Sequence, residues 1–216
     1  MELQNKKVVF LGDSITEGYG TSAPQYRYTD VFARLSGAVV TTNGIGGTRY
    51  AIKKTPSPEP VWDNDFVLRV DELPKDSKIV GVFGGTNDFG HGDAPLGDFS
   101  DRTQDTFYGA CHVLYRALIE RFPNAFIFVM TPLHRLSEDA TVNEIGLPCR
   151  PLKAYVQAER EVAEYYSLPV LDLFKESGIQ PKIPVLQELY MPDGLHPNDR
   201  GAELVARKVL AFLKSR

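Results

Sequence analysis

The sequence lacks several features that would assign it at once to a class of protein. Its 216 residues include only two cysteines, Cys111 and Cys149. Two cysteines are too few for a disulfide framework, and they lack the spacing of a metal site, so we expect two reduced thiols. No apolar run approaches the roughly 20 residues that span a bilayer. No run of like charge indicates a nucleic-acid or membrane partner.

The first residues also lack the pattern of an export signal. Residues 1–14 run directly into an apolar strand pattern, with no small-residue cleavage site. We therefore expect a cytoplasmic protein, with a formal net charge of −4. A chain of this length suffices for one core, so residues 1–216 are predicted to form a single domain.

Short apolar runs alternate with helical patterns along the chain. The predicted strands are Lys7–Leu11, Ala38–Thr42, Ile79–Phe83, Ala125–Met130 and Pro169–Leu173. The predicted helices are Tyr28–Leu35, Val61–Val70, Phe107–Arg121, Leu152–Tyr166 and a last helix capped by Asn198. This alternation predicts a parallel sheet covered by helices on both faces. Ligands of such sheets bind beyond the carboxyl ends of the strands, at a switch point in strand order.

Ser14 follows the first predicted strand and is a candidate nucleophile. A serine hydroxyl attacks a carbonyl once a neighbouring base takes its proton. Residues Ser14–Glu17 also match a capping box, in which Ser14 would simply cap a short helix. The two roles are compatible, because the N-terminus of a helix favours negative charge.

The base for such a serine would be one of four histidines. His112 lies inside a helical pattern, and no acid precedes His134 at a useful spacing. The other two each follow an aspartate by three residues, in the pairs Asp88–His91 and Asp193–His196. Either pair could place a carboxylate against an imidazole, and the spacing does not choose between them.

Four short motifs occur in order along the chain: GDSIT at Ser14, NGIGGT at Gly47, GGTND at Asn87 and DGLHPN at Asp193 and His196. Together they resemble the four signature blocks of the SGNH hydrolases, also called the GDSL family, and they extend over most of the chain. The resemblance implies an SGNH/flavodoxin-like α/β fold. This fold is a three-layer α/β/α sandwich around a five-stranded parallel sheet of order 2-1-3-4-5.

The resemblance also implies a role for each matching residue. The nucleophile corresponds to Ser14, and the acid and base correspond to Asp193 and His196. The oxyanion hole corresponds to the backbone N–H groups of Ser14 and Gly47 and the side-chain amide of Asn87. Such donors stabilise the charge that develops on the carbonyl oxygen during attack. No metal ion or organic cofactor is needed.

The expected activity is hydrolysis of a small-molecule carboxylic ester through an acyl-enzyme on Ser14. The absence of a long apolar lid segment favours small or carbohydrate-linked acyl groups. An acyltransferase that uses the same residues is an alternative, and a non-catalytic carbohydrate-binding module is a second one. Ser14 lacks the Gly-x-Ser-x-Gly context of an α/β-hydrolase. The sequence does not indicate the oligomeric state.

Other residues near the motifs have less specific interpretations. On this resemblance Asp88 is a structural turn residue, and His91 belongs to a loop or a substrate pocket. Trp62, Tyr50 and Tyr190 are candidates for a pocket wall or a sugar platform, although packing in the core is the preferred interpretation for each of them.

Overall fold

A five-stranded parallel sheet forms the centre of the computed structural model, which describes residues 1–216. The strands are β1 (Lys7–Gly12), β2 (Val39–Gly44), β3 (Ile79–Phe83), β4 (Phe126–Met130) and β5 (Val170–Leu171). Their order across the sheet is β2-β1-β3-β4-β5, and every neighbouring pair is parallel. The predicted fold and strand order are therefore confirmed.

Helices cover both faces of this sheet. The α-helices are α1 (Ser14–Glu17), α2 (Tyr28–Ser36), α3 (Phe66–Arg69), α4 (Thr86–His91), α5 (Phe107–Arg121), α6 (Leu152–Tyr165), α7 (Leu173–Glu176), α8 (Pro184–Tyr190) and α9 (Asp199–Lys214). Three short 3₁₀ helices lie at Pro24–Tyr26, Pro60–Asp63 and Val70–Glu72. None of the helices combines the length and the apolar character required to cross a bilayer.

Alternation along β1 explains why the chain builds two cores. Val8 and Phe10 belong to the apolar cluster beneath α2 and α9. Val9 and Leu11 belong to the cluster beneath α5 and α6 on the other face. Successive strand residues point to opposite faces, so a run that is apolar throughout must be covered on both sides.

Local capping fixes the helices that the sequence predicts best. The Thr106 hydroxyl accepts from the backbone N–H of Gly109, and α5 begins and ends where its pattern predicts. The Asn198 side chain caps α9 in the same way, by accepting from Gly201. Each cap satisfies an N–H group that has no partner within its helix.

The predicted helix Val61–Val70 is wrong, because the segment breaks into two 3₁₀ turns around the short α3. Its acidic residues are drawn to a buried guanidinium: Arg49 Nη2 lies 2.7 Å from Asp63 Oδ1 and 3.4 Å from Asp65 Oδ1. These ion pairs with Arg49 bend the chain at Asn64. The apolar periodicity of the segment does not indicate them, so it predicts one continuous helix.

The fifth predicted strand is also too long. Asp172 follows β5 directly, and its side chain accepts from the N–H of Lys175, which starts α7 at Leu173. The two cysteines are free thiols, Cys111 inside the core and Cys149 half-buried in a loop.

Candidate active site

Three of the predicted site residues follow adjacent strands at the same edge of the sheet. Gly12 at the end of β1 lies in register with Gly44 of β2 and Phe83 of β3. Ser14, Gly47 and Asn87 come directly after these three strand ends. The order of the strands reverses between β1 and β3, so the three residues surround the switch point where such sheets bind ligands.

The segment before α9 brings a histidine to this edge. Ser14 Oγ lies 3.0 Å from His196 Nε2, although the two residues are 182 positions apart. His196 Nδ1 lies 2.7 Å from Asp193 Oδ2. A carboxylate that is hydrogen-bonded to Nδ1 keeps the imidazole proton on that nitrogen. Nε2 is then an acceptor for the serine hydroxyl. The structure therefore brings Ser14, His196 and Asp193 together in one chain of hydrogen bonds.

A tight turn explains the geometry of Asp193. Its Oδ1 atom accepts from the backbone N–H groups of Leu195 at 2.8 Å and His196 at 2.7 Å, which leaves Oδ2 for the imidazole. Burial by itself would raise the pKa of Asp193, but the N–H groups of His196 and Leu195 and the imidazole bring that pKa below its usual value. The carboxylate is thus charged at neutral pH, as a partner for an imidazolium must be.

The capping-box interpretation of Ser14–Glu17 is wrong by one residue. The cap of α1 is Asp13, whose Oδ1 atom accepts from the N–H of Ile15 at 3.0 Å. Burial raises the pKa of Asp13 to about 7, against the opposing effect of the Ile15 N–H and the positive charge of Arg69. Because Asp13 caps the helix, the Ser14 hydroxyl is left free for His196. The backbone N–H of Ser14, in the first turn, has no acceptor within its helix.

The turn after β2 presents a single unpartnered amide. Residues 45, 46, 48 and 49 donate their N–H groups to Gly12 O, Glu17 Oε2, Ile45 O and Asp65 Oδ1 respectively. The N–H of Gly47 between them donates to no group of the chain. Gly47 has φ +74°, the left-handed conformation typical of the third residue of a type II turn. The turn thus leaves the N–H of Gly47 without an acceptor in the chain, next to Gly46, where an added Cβ would lie 3.6 Å from Ser14 Cβ.

Asn87 lies at the start of α4 and is nearly buried, with 5% of its surface exposed. Its Nδ2 atom donates to Thr48 O at 3.0 Å, which ties α4 to the turn after β2. A side-chain amide carries two N–H donors, and this bond uses one of them. The other remains for a ligand.

The rival pair Asp88–His91 does not assemble. Both oxygens of Asp88 accept backbone N–H groups, from Tyr50 at 3.1 Å and Ala51 at 2.9 Å. Burial raises the pKa of Asp88 to about 7 and lowers the pKa of His91 to about 4. The ring of His91 lies instead 5.7 Å from the ring of Trp62. The structure gives Asp88 the turn-stabilising contacts expected of it.

The other histidines have structural partners. His112 Nε2 lies 3.1 Å from Phe99 O, and the residue is buried beside α6. His134 pairs with an acid that follows it, since its Nδ1 atom lies 2.6 Å from Glu138 Oε2. A search limited to acids that precede a histidine in the sequence misses this pair. No three His, Cys, Asp or Glu side chains gather where they could hold a metal ion.

Two buried arginines that sequence reasoning missed hold the site loops. Arg69 donates to Gly12 O at 3.0 Å, to Thr48 Oγ1 at 2.9 Å and to Asn43 Oδ1 at 2.7 Å. Arg49 donates to Gly47 O at 3.1 Å. Burial lowers the pKa of Arg69 to about 10, so it remains charged. Arg69 has no local signal, because its acceptors lie 21 to 57 residues away in the sequence.

Two aromatic rings border the Ser14 region. The indole of Trp62 packs on Gly47 so closely that a Cβ there would lie 2.4 Å from Trp62 Cγ. The ring of Tyr19 lies 4.5 Å from that of His196 and is largely exposed. Trp62 was one of the candidate pocket residues, whereas nothing in the sequence distinguishes Tyr19.

Comparisons with known proteins find similarity over nearly the whole chain. A family model described as "GDSL-like Lipase/Acylhydrolase family" matches residues 10–204. A solved structure from Lactobacillus plantarum is 30% identical, with a TM-score of 0.83 and coverage of 99% of each chain. A lipase/acylhydrolase from Enterococcus faecalis is 24% identical over 98% of this chain and 96% of its own, with a TM-score of 0.64. No curated protein sequence matches significantly.

Proposed function

The chain belongs to the GDSL-like lipase/acylhydrolase family, and on that premise we propose that it hydrolyses carboxylic esters of small acyl groups through an acyl-enzyme on Ser14. Family membership makes it an ester hydrolase in general terms. The observation that carries the finer proposal is the hydrogen-bonded series Ser14–His196–Asp193, with distances of 3.0 Å and 2.7 Å. A hydroxyl, an imidazole and a carboxylate in this order are the parts of an activated serine nucleophile.

The proposed reaction has two steps, acylation of Ser14 and hydrolysis of the acyl-enzyme. Ser14 Oγ bonds to the ester carbonyl carbon while its proton passes to His196 Nε2, and the carbonyl oxygen becomes an oxyanion. The intermediate collapses, the bond to the alcohol breaks, and the alcohol leaves with the proton from His196. Water then repeats the sequence on the acyl-enzyme, which releases the carboxylic acid and restores Ser14. Asp193 stabilises the imidazolium in both steps.

Three N–H donors suit the oxyanion. The backbone amides of Ser14 and Gly47 and the second hydrogen of the Asn87 amide have no acceptor among the contacts described above. Donors that are already oriented stabilise the transition state more than the ground state, because they do not have to reorganise when the charge develops.

The aromatic border supports a small acyl group and a bulky alcohol. Trp62 fills the space against Gly47, which limits the room beside the proposed oxyanion donor. Tyr19 lies beside His196, the residue that protonates the leaving alcohol in the proposed mechanism. An exposed aromatic ring there offers an apolar face to a ring-bearing alcohol such as a sugar.

The test combines an ester panel with a nucleophile variant. We expect the wild-type protein to hydrolyse p-nitrophenyl esters with the highest kcat/KM at acetyl and a decline as the acyl chain lengthens. Ser14→Ala should reduce hydrolysis to background while the circular dichroism spectrum and Tm stay the same. A fluorophosphonate probe should label the wild-type protein at Ser14 and leave the variant unlabelled.

The matched control is Ser215→Ala, because Ser215 lies in the last turn of the chain and its hydroxyl contacts only Phe212 O. It should retain full activity and labelling. Full activity of Ser14→Ala would refute the assignment of Ser14 as the nucleophile. A maximum of kcat/KM at long acyl chains would refute the preference for small acyl groups.

A further inference from the structure

The carboxylate of Glu17 joins the helix of the nucleophile to the turn after β2. Glu17 lies on α1, three positions after Ser14, and its Oε2 atom accepts from the N–H of Gly46 at 2.7 Å. Gly46 directly precedes Gly47, whose N–H is the unpartnered donor of that turn. One side chain therefore connects the element that carries the hydroxyl with the element that carries the donor.

The shifted cap of α1 is what makes this contact available. If Ser14 were the cap, a glutamate at position 17 would fold back on the N-terminal N–H of its own helix. Because Asp13 caps α1 instead, Glu17 falls one position beyond the capping site and faces β2. Gly44 allows the approach, since a Cβ there would lie 2.2 Å from the backbone nitrogen of Glu17.

The other side-chain anchors of the turn bind residues on either side of Gly46: the Thr48 hydroxyl, for example, donates to Ile45 O at 2.7 Å. Arg49 donates to Gly47 O, and Asn87 donates to Thr48 O. Ile45 also donates its N–H to Gly12 O, and Glu17 is the only side chain that binds Gly46. Two consecutive glycines give the peptide between them unusual freedom. Its orientation therefore depends on anchors at both ends.

We propose that Glu17 is a positioning residue for ester hydrolysis, which holds Gly46 so that the N–H of Gly47 points at the oxyanion formed on Ser14. The inference rests on the proposed function, because it assigns Gly47 a donor role. Glu17 itself touches neither Ser14 Oγ nor the imidazole in the hydrogen bonds described. Its contribution is to geometry, and misplacement of a catalytic group by about 1 Å can cost about 100-fold in rate.

The experiment compares Glu17→Ala, which removes the acceptor, with Glu17→Gln, which keeps an acceptor oxygen and removes the charge. Glu17→Ala should lower kcat on p-nitrophenyl acetate by about 10- to 100-fold with KM within about threefold of wild type. Glu17→Gln should stay within about threefold in kcat, because its amide oxygen also accepts from Gly46. Both variants should keep the Tm of wild type to within a few degrees.

The control is Glu120→Ala on α5, an exposed glutamate whose contact is a helical pair with Arg116. It should leave kcat and KM unchanged. Unchanged kcat in Glu17→Ala would overturn the inference. Equal losses in Glu17→Ala and Glu17→Gln would also overturn it, since the charge and not the acceptor would then matter.

Amide hydrogen exchange separates this inference from the proposed function. The Gly46 N–H should be protected in wild type and in Glu17→Gln, and should exchange faster in Glu17→Ala. A wild-type protein without esterase activity would refute the proposed function, whereas unchanged Gly46 exchange in Glu17→Ala would refute the positioning role even in an active enzyme.

Discussion

At the scale of single residues, Asn87 combines two tasks in one amide group. One hydrogen binds Thr48 O at 3.0 Å, and the other has no acceptor in the chain and is the one proposed to bind the oxyanion. A neutral amide is well suited to both tasks, because no change of pH removes its protons. The donor therefore remains available over the whole pH range in which the protein is folded.

Replacement of this amide should therefore act mainly on the chemical step. We expect Asn87→Ala to lower kcat by roughly 100- to 1000-fold, the cost typical of losing one oxyanion-hole donor. Steady-state kinetics on p-nitrophenyl acetate measure the loss. Asn124→Ala, at an exposed turn before β4, is the matched control and should behave as wild type. A loss in Asn87→Ala of less than about threefold would show that the residue has another task.

At the scale of one element, the turn Ile45–Thr48 depends on the backbone conformation of Gly47. Its φ of +74° disfavours any residue with a side chain, and the Trp62 indole occupies the place of a Cβ. A side chain at position 47 should drive the turn towards a negative φ, which rotates the peptide that carries the donor. The contact with the Trp62 indole and the backbone conformation that orients the N–H donor thus both require glycine at position 47.

Gly47→Ala should accordingly lose about 100-fold in kcat, as if the donor were removed. Gly146→Ala provides a matched control, because Gly146 has φ +80° but a Cβ there would meet no atom within 4 Å. Gly146→Ala should cost stability without affecting kcat, so the pair separates backbone strain from loss of the donor. Equal kcat in the two variants would contradict the role assigned to the turn.

At the scale of the whole molecule, the fold buries carboxyl groups that resist ionisation. Burial raises the pKa of Asp13, Asp65 and Asp88 to about 7 in each case. Burial also raises the pKa of Glu159 on α6, whose two carboxyl oxygens have no hydrogen-bond partner in the protein. The unfolded chain releases these protons at a lower pH than the folded protein does.

The sign of the linkage follows from these shifts. Above the unfolded pKa of about 4, the unfolded state binds fewer protons than the folded state, so stability falls as the pH rises. We expect the free energy of unfolding in urea to be larger at pH 5 than at pH 8. Glu159→Gln should weaken this dependence, so that its stability relative to wild type increases between pH 5 and pH 8.

The control for this measurement is Glu164→Gln, which alters an exposed carboxylate on the same helix. Its stability relative to wild type should be independent of pH over that range. A constant difference between Glu159→Gln and wild type would mean that Glu159 is ionised in the folded protein.

The fold was largely predictable because its central strands β1, β3 and β4 are apolar on both faces. The bounds of β3, Ile79–Phe83, are predicted to the residue, because a short run of large apolar side chains is typical of a strand that is buried on both faces. The segment Val61–Val70 was not predictable, because its helical period competes with ion pairs to Arg49. The local sequence pattern predicts secondary structure correctly where no ion pair with a distant residue opposes it.

The candidate site was predictable only in part, for the same physical reason. Asp88–His91 and Asp193–His196 have equal spacing, and what distinguishes them is burial and contact. Asp13 and Ser14 are both good caps, and the cap used depends on where β1 ends. The contact of Glu17 with Gly46 follows from that choice, so it could be found only in three dimensions.

The separation of 182 residues between Ser14 and His196 has a consequence for biosynthesis. A ribosome delivers Ser14 early and His196 late, because domains emerge from their N-terminal side. Until residue 196 is synthesised, Ser14 lacks the imidazole that contacts its hydroxyl in the folded protein, so the proposed mechanism has no base in the nascent chain. The proposed mechanism therefore requires that the segment preceding α9 has been translated and has docked on the sheet.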